Sequence, residues 1–126
     1  MNLLNLDIET ELVQKSLYAA YEEGSNAKVI AKFYNPFGEE KWFITGGDKL
    51  PNGDWMLYGL SYIQHWEIGT YLLSVLETLE SNYTIKIERD LQYNGDETLD
   101  EAYRKSCRNT DDIDLINNFG GNKNGK

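Results

Sequence analysis

The sequence predicts an α+β fold: an antiparallel sheet of about four strands with an N-terminal, a middle and a C-terminal helix. Three observations carry this. Apolar residues recur at helical spacing in two stretches, the period drops to two in 27–34 and 83–88, and the first three strands are joined by connections too short for parallel crossovers. Helices lying on one face of such a sheet complete the expected architecture.

The first helix is predicted over 7–23. Ile8, Leu12, Val13, Leu17, Ala20 and Tyr21 form its stripe, Asp7 is the expected N-cap, Glu9 and Glu11 suit the positive end of the dipole, and Gly24 ends it. From Ala27 to Tyr34 the pattern alternates, with Val29, Ala31 and Phe33 on one face, and Asn35-Pro36-Phe37-Gly38 closes the strand as a turn. Lys41 to Thr45 reads as a short second strand. Gly46-Gly47-Asp48 and Pro51-Asn52-Gly53-Asp54 read as loop, and Trp55 to Tyr62 as the third strand of a meander. Thr70 to Ser81 carries Leu72, Leu73, Leu76 and Leu79, the stripe of the middle helix. Tyr83 to Glu88 alternates as the fourth strand, with Ile85 and Ile87 inward. Thr98 followed by Glu101 is a capping-box pattern, which starts a third helix running to about Arg108. Residues 1–116 are expected to form one domain, and the Asn- and Gly-rich 117–126 a frayed tail.

Composition bounds the function. With 126 residues, 40% hydrophobic and 13% aromatic, the chain has material for one packed core. It has no apolar run long enough to span a membrane and no signal-peptide pattern at its start, and Cys107 is its single cysteine, so the expected address is the cytoplasm. Twenty-one acids against twelve Lys and Arg give a formal charge of −9. Such a chain is repelled by phosphate backbones and anionic lipid, so direct nucleic-acid or membrane binding is not expected. A basic protein surface would attract it.

No catalytic apparatus is legible. His65 is the only histidine, and no nucleophile elbow accompanies it; pairing with Glu67 or Asp90 is the one enzymatic reading it allows. Cys107 has Arg104, Lys105 and Arg108 nearby but sits at a helix C-terminus, which opposes a thiolate. Asp48 to Asp54 has Asp first, Asn fifth and Gly sixth, as in a calcium loop. Leu50 at the third position and Gly59 at the twelfth break that pattern, and a hairpin turn explains Asn52-Gly53. No phosphate loop is present, and no cofactor or metal is expected.

Two features point to binding. Nine Tyr and three Trp are many for a core of this size, and Tyr34, Tyr58, Tyr62 and Trp66 fall near expected strand ends and loops, as residues favoured at interfaces. Carboxylates concentrate between Glu88 and Asp114. Glu88, Asp90, Asp96, Glu97, Asp100, Glu101, Asp111 and Asp112, with Tyr58, Tyr62 and Trp66, are the candidate partner-binding residues. Glu88 and Asp90 should point to one side of their strand and Arg89 to the other.

The stretch from about Val29 to Tyr103 resembles a family of small bacterial proteins known only as a domain of unknown function. The resemblance rests on Asn35-Pro36-Phe37-Gly38, Trp42-Phe43-Ile44-Thr45, Leu57-Tyr58-Gly59-Leu60, Glu67-Ile68-Gly69-Thr70-Tyr71 and, most specifically, Ile87-Glu88-Arg89-Asp90-Leu91 with Thr98-Leu99. Leu72 stands where relatives carry a serine able to cap the middle helix. The resemblance implies an accessory role on plasmids, phages and conjugative elements, often near antirestriction genes, and supplies no catalytic residues. The functional expectation is a non-enzymatic acidic protein that occupies the basic groove of a host defence complex, as an anti-CRISPR or antirestriction protein. The alternative is a small homodimeric interaction or regulatory module that pairs through an exposed strand edge.

Overall fold

The computed structural model describes residues 3–83 and 86–107, the side chains of 80–83 excepted. Its elements are α1 (Leu6–Val13), α2 (Leu17–Glu23), a 3-10 turn (Gly24–Asn26), β1 (Ala31–Tyr34), β2 (Lys41–Lys49), β3 (Trp55–Ile63), β4 (His65–Leu72), α3 (Leu73–Tyr83), β5 (Glu88–Arg89) and α4 (Leu99–Ser106). The strands make one antiparallel sheet in the order β4-β3-β2-β1-β5. The α+β class and the meander are as expected; the sheet has one strand more.

The expected single helix over 7–23 is two. Asn5, not Asp7, caps α1 by accepting from the Ile8 N–H at 2.8 Å. The chain then breaks, and Ser16 caps α2 by accepting from Ala19. The break is held by the sheet: the Gly47 N–H donates to the Lys15 carbonyl, and the Asp48 carboxylate accepts from the Leu17 N–H. Residues Gly46-Gly47-Asp48, expected as loop, are therefore strand. A Cβ on Gly46 would stand 2.6 Å from the Ala20 Cβ and 2.9 Å from the Ser16 carbonyl oxygen, so glycine is what lets α2 lie this close. The register of β2 on β3 shifts between Ile44 and Gly46, a bulge at the buried Thr45. Gly24, with φ 57°, ends α2 as the sequence predicts.

β1 starts later than expected because 27–29 pair elsewhere: Val29 N–H donates to Glu97 O, and Leu99 N–H to Ala27 O. Val29 consequently packs with a different core cluster from Ala31 and Phe33. The turn after β1 is built on Asn35, whose side chain accepts from Phe37 N–H and donates to Glu40, and it leaves Phe37 exposed.

β4 is the strand the sequence hides. The chain reverses at Gln64, a non-glycine residue with φ 68°, and pairs back on β3 from His65 to Leu72. Hence Thr70 to Leu72, expected as helix, are strand, and α3 starts at Leu73. The cap that Leu72 cannot supply comes from the hairpin Leu50–Asp54. Asp54 accepts from the Ser74 N–H at 3.1 Å and the Ser74 hydroxyl at 2.6 Å. That hydroxyl, ahead of the opposing cost of desolvation, holds the Asp54 carboxyl below its usual range.

Tyr83 belongs to α3 rather than to the fourth strand, and β5 is only Glu88–Arg89, beside β1. Residues 84–85, with Ile85, lie outside the described residues, as do Arg108 and the expected tail. α4 has the capping box in full: Thr98 Oγ1 accepts from Glu101 N–H, and the Glu101 carboxylate accepts from Thr98 N–H. Such caps contribute about 1 kcal/mol.

The helices do not share one face. Ile8 and Leu12 of α1 and Leu73 and Leu76 of α3 pack with Phe33, Trp42, Ile44 and Leu57. Leu99, Ala102 and Tyr103 of α4 pack on the opposite side with Val29, Phe43, Leu60 and Trp66. Strand alternation makes both sheet faces apolar, because Trp42 and Ile44 point one way and Phe43 the other. A sheet apolar on both faces has to be covered on both.

Candidate functional site

Of the eight carboxylates singled out from sequence, six lie within the described residues; Asp111 and Asp112 lie outside them. Most of the six are engaged locally. On the β5 edge, Asp90 lies 3.3 Å from the Lys32 ammonium and Glu88 lies 3.8 Å from that of Lys86. Arg89 points to the other face, as alternation requires, and its guanidinium donates to Leu3 O at 3.1 Å. On α4, Asp100 pairs with Arg104 one turn later at 2.7 Å, and Glu101 serves the capping box. Asp96 is exposed.

Glu97 is the most enclosed. Its carboxylate accepts from the Tyr93 hydroxyl at 2.6 Å and the Lys105 ammonium at 2.9 Å, with only a tenth of its side chain exposed. Burial pushes its carboxyl up, but the Tyr93 hydroxyl, Lys105 and Lys32 together outweigh this and hold it below the ordinary 4.5. The same pair, with burial leading, pushes the Tyr93 hydroxyl far up. A depressed carboxyl contributes stability that is present above pH 4.5 and is lost as pH falls through its lowered folded value. Wild-type protein should therefore lose more of its melting temperature below pH 4.5 than Glu97→Gln does, measured by thermal melts between pH 6 and 3. Equal slopes would sink this assignment.

The aromatics are placed differently from expectation. Tyr58 is 6% and Trp66 8% exposed, so neither presents a ring to solvent. Tyr58 meets the edge of Tyr21 of α2; Trp66 packs between Tyr62 and Tyr103, with ring centroids 5.0 and 5.1 Å away. Tyr62 is half-buried under the Lys41 ammonium, and Tyr34 lies under that of Lys32. Trp66 belongs to the second core cluster, and Tyr62 packs against it.

His65 begins β4, largely exposed, with Nε2 3.1 Å from the Glu67 carboxylate; Asp90 lies at the opposite edge of the sheet. Cys107 is half-buried against the second cluster at the end of α4. Among the described residues no group of three or more His, Cys, Asp or Glu could hold a metal ion, and the Asp48 to Asp54 stretch uses its end carboxylates on Leu17 and Ser74.

One acidic feature escaped the sequence reading. A cleft of about 220 Å³ opens between α1 and the β5 edge, lined among others by Asp7, Glu11, Lys32, Arg89, Asp90 and Asn94. Asp7 and Glu11 are one helical turn apart and share a side of α1. Residues 6–23 contain five acids (Asp7, Glu9, Glu11, Glu22 and Glu23) against the single cation Lys15, which is paired to Glu23. Residues 86–107 contain six acids against four cations. The less compensated negative surface is thus on α1 and α2. A charge count over each helix pair could have found it.

The family model described as "Protein of unknown function (DUF2958)" matches residues 3–114. No curated protein and no solved structure matches the chain. No helix among the described residues is long and apolar enough to cross a membrane.

Proposed function

The chain belongs to the DUF2958 family of proteins of unknown function, and from that premise we propose that it is a non-enzymatic binding protein whose acidic surface docks on a basic surface of a protein partner. The observation that carries this is the charge: −9 overall, with the acids of α1 and α2 opposed by one lysine. Asp7 and Glu11 beside the α1–β5 cleft give a cationic side chain of the partner a place to enter, while Asp90 is paired with Lys32 and Glu97, Asp100 and Glu101 are spent on the fold. Basic grooves of this complement belong to proteins that bind nucleic acids. The mobile-element setting implied by the family resemblance makes a host defence complex, a CRISPR effector or a restriction enzyme, the partner class.

Affinity capture from host lysate, followed by mass spectrometry, tests this. The expected catch is a nucleic-acid-binding protein that is retained at low salt and released at high salt. Glu11→Lys with Glu22→Lys, both at exposed helical positions, should slow association by about tenfold or more at low salt. A catch without such a protein, or binding indifferent to salt and to these charges, overturns the reading.

A further inference from the structure

β4 forms one side of the sheet. Its inner edge pairs with β3 from His65 to Leu72 without a register shift, and among the described residues no strand pairs its outer edge. Natural edge strands are blunted by lysine, proline, a bulge or brevity. β4 uses none of these: it is eight residues long, and residues 65–79 contain no Lys, Arg or Pro. The opposite edge, β5, is two residues long. We propose that the outer edge of β4 is a docking site that takes an extended, cationic segment of another protein as a sixth strand.

Charge selects this occupant. The charges along 65–79 that do not depend on histidine protonation are Glu67, whose side chain is 62% exposed, and Glu77. A second copy of this chain would bring −9 against −9 and would offer from its own β4 no cation to stand opposite Glu67. A cationic strand satisfies both the open backbone groups and the carboxylate.

An apolar hollow of about 320 Å³ lies at the end of β4, lined by residues of both its faces, Thr70 and Leu72 from one and Tyr71 from the other, with Met56, the half-exposed Val75 and Leu76. It gives a large apolar side chain of the incoming segment a seat three to five residues along from the position opposite Glu67.

The inference rests on the basic-partner reading for its biological setting, but it can be tested apart from it. The probe is a short labelled peptide of alternating Thr and Val carrying one Lys and one Leu five residues apart; its control has Glu in place of the Lys. Fluorescence anisotropy should give the lysine peptide about tenfold tighter binding than its glutamate control, lost in Glu67→Lys and in Val75→Glu, two exposed substitutions that leave the core intact. Amide hydrogen exchange should slow in 65–72 when that peptide is bound. Equal affinities, unchanged exchange, or variants that bind like wild type overturn the proposal. So does a stable homodimer in sedimentation whose β4 amides are already protected. If lysate capture yields a basic partner equally with wild type and Glu67→Lys, the basic-partner reading stands and docking on β4 falls. If the peptide binds as described and the lysate yields no basic partner, the reverse holds.

Discussion

Replacing Gly59 with alanine is expected to cost about 3 kcal/mol or more, a large fraction of the roughly 5–15 kcal/mol that holds a domain of this kind folded. Gly59 sits mid-way along β3, opposite Ile44 on one side and Gly69 on the other. A Cβ there would lie 1.9 Å from the Phe43 carbonyl oxygen, 2.9 Å from its carbon and 3.0 Å from the Ile44 Cα. All three are backbone atoms of β2, so no side-chain rotation relieves the clash. Moving β2 away would break its pairing with β3 and shift Trp42, Phe43 and Ile44, which are buried in two different clusters. Gly69→Ala is the control, since a Cβ there meets only the Tyr71 hydroxyl at 3.7 Å. Urea unfolding of both variants decides the matter: a Gly59→Ala midpoint close to that of Gly69→Ala would mean that β2 and β3 do not approach as described.

What the sequence made legible was local. The capping box of α4 can be read because Thr98 and Glu101 satisfy each other within four residues, and the β1–β3 meander because alternation and short turns are properties of neighbouring positions. The features that were missed depend on partners far along the chain. The break between α1 and α2 is held by Gly47 and Asp48, about thirty residues on. β4 was hidden because Gly69 interrupts its alternation, because Gln64 takes a left-handed turn that no glycine announces, and because Leu72-Leu73-Leu76 reads as helix from its first residue. The candidate site divides the same way. Asp100 with Arg104 is a spacing visible in sequence, whereas the Lys32 that faces Asp90, and the cleft that joins Asp90 to Asp7 and Glu11, exist only once β5 lies beside β1. Net charge was readable; which carboxylates were already neutralised was not.

Trp66 separates the two readings of the aromatic surplus. As an interface residue its truncation would weaken partner capture and leave folding unchanged; as core it would do the opposite. The ring is 8% exposed, meets Tyr103 nearly edge-on at 76° and Tyr62 at 53°, and has the Lys41 ammonium 5.9 Å from its centroid. Tyr103 is itself fully buried, so removing the indole leaves a void between α4 and β4 that neither ring can leave its packing to fill. Truncation of a buried tryptophan costs about 3–5 kcal/mol, and the aromatic pairs add roughly 0.5–1.5 kcal/mol each to what is lost. Trp66→Ala should accordingly melt well below wild type, with Trp66→Phe between them because a smaller ring still reaches Tyr103. Capture of a basic partner should fall only as far as the folded fraction falls, and an osmolyte that restores folding should restore capture with it. A Trp66→Ala protein with a wild-type melt and no capture would return this residue to the binding surface.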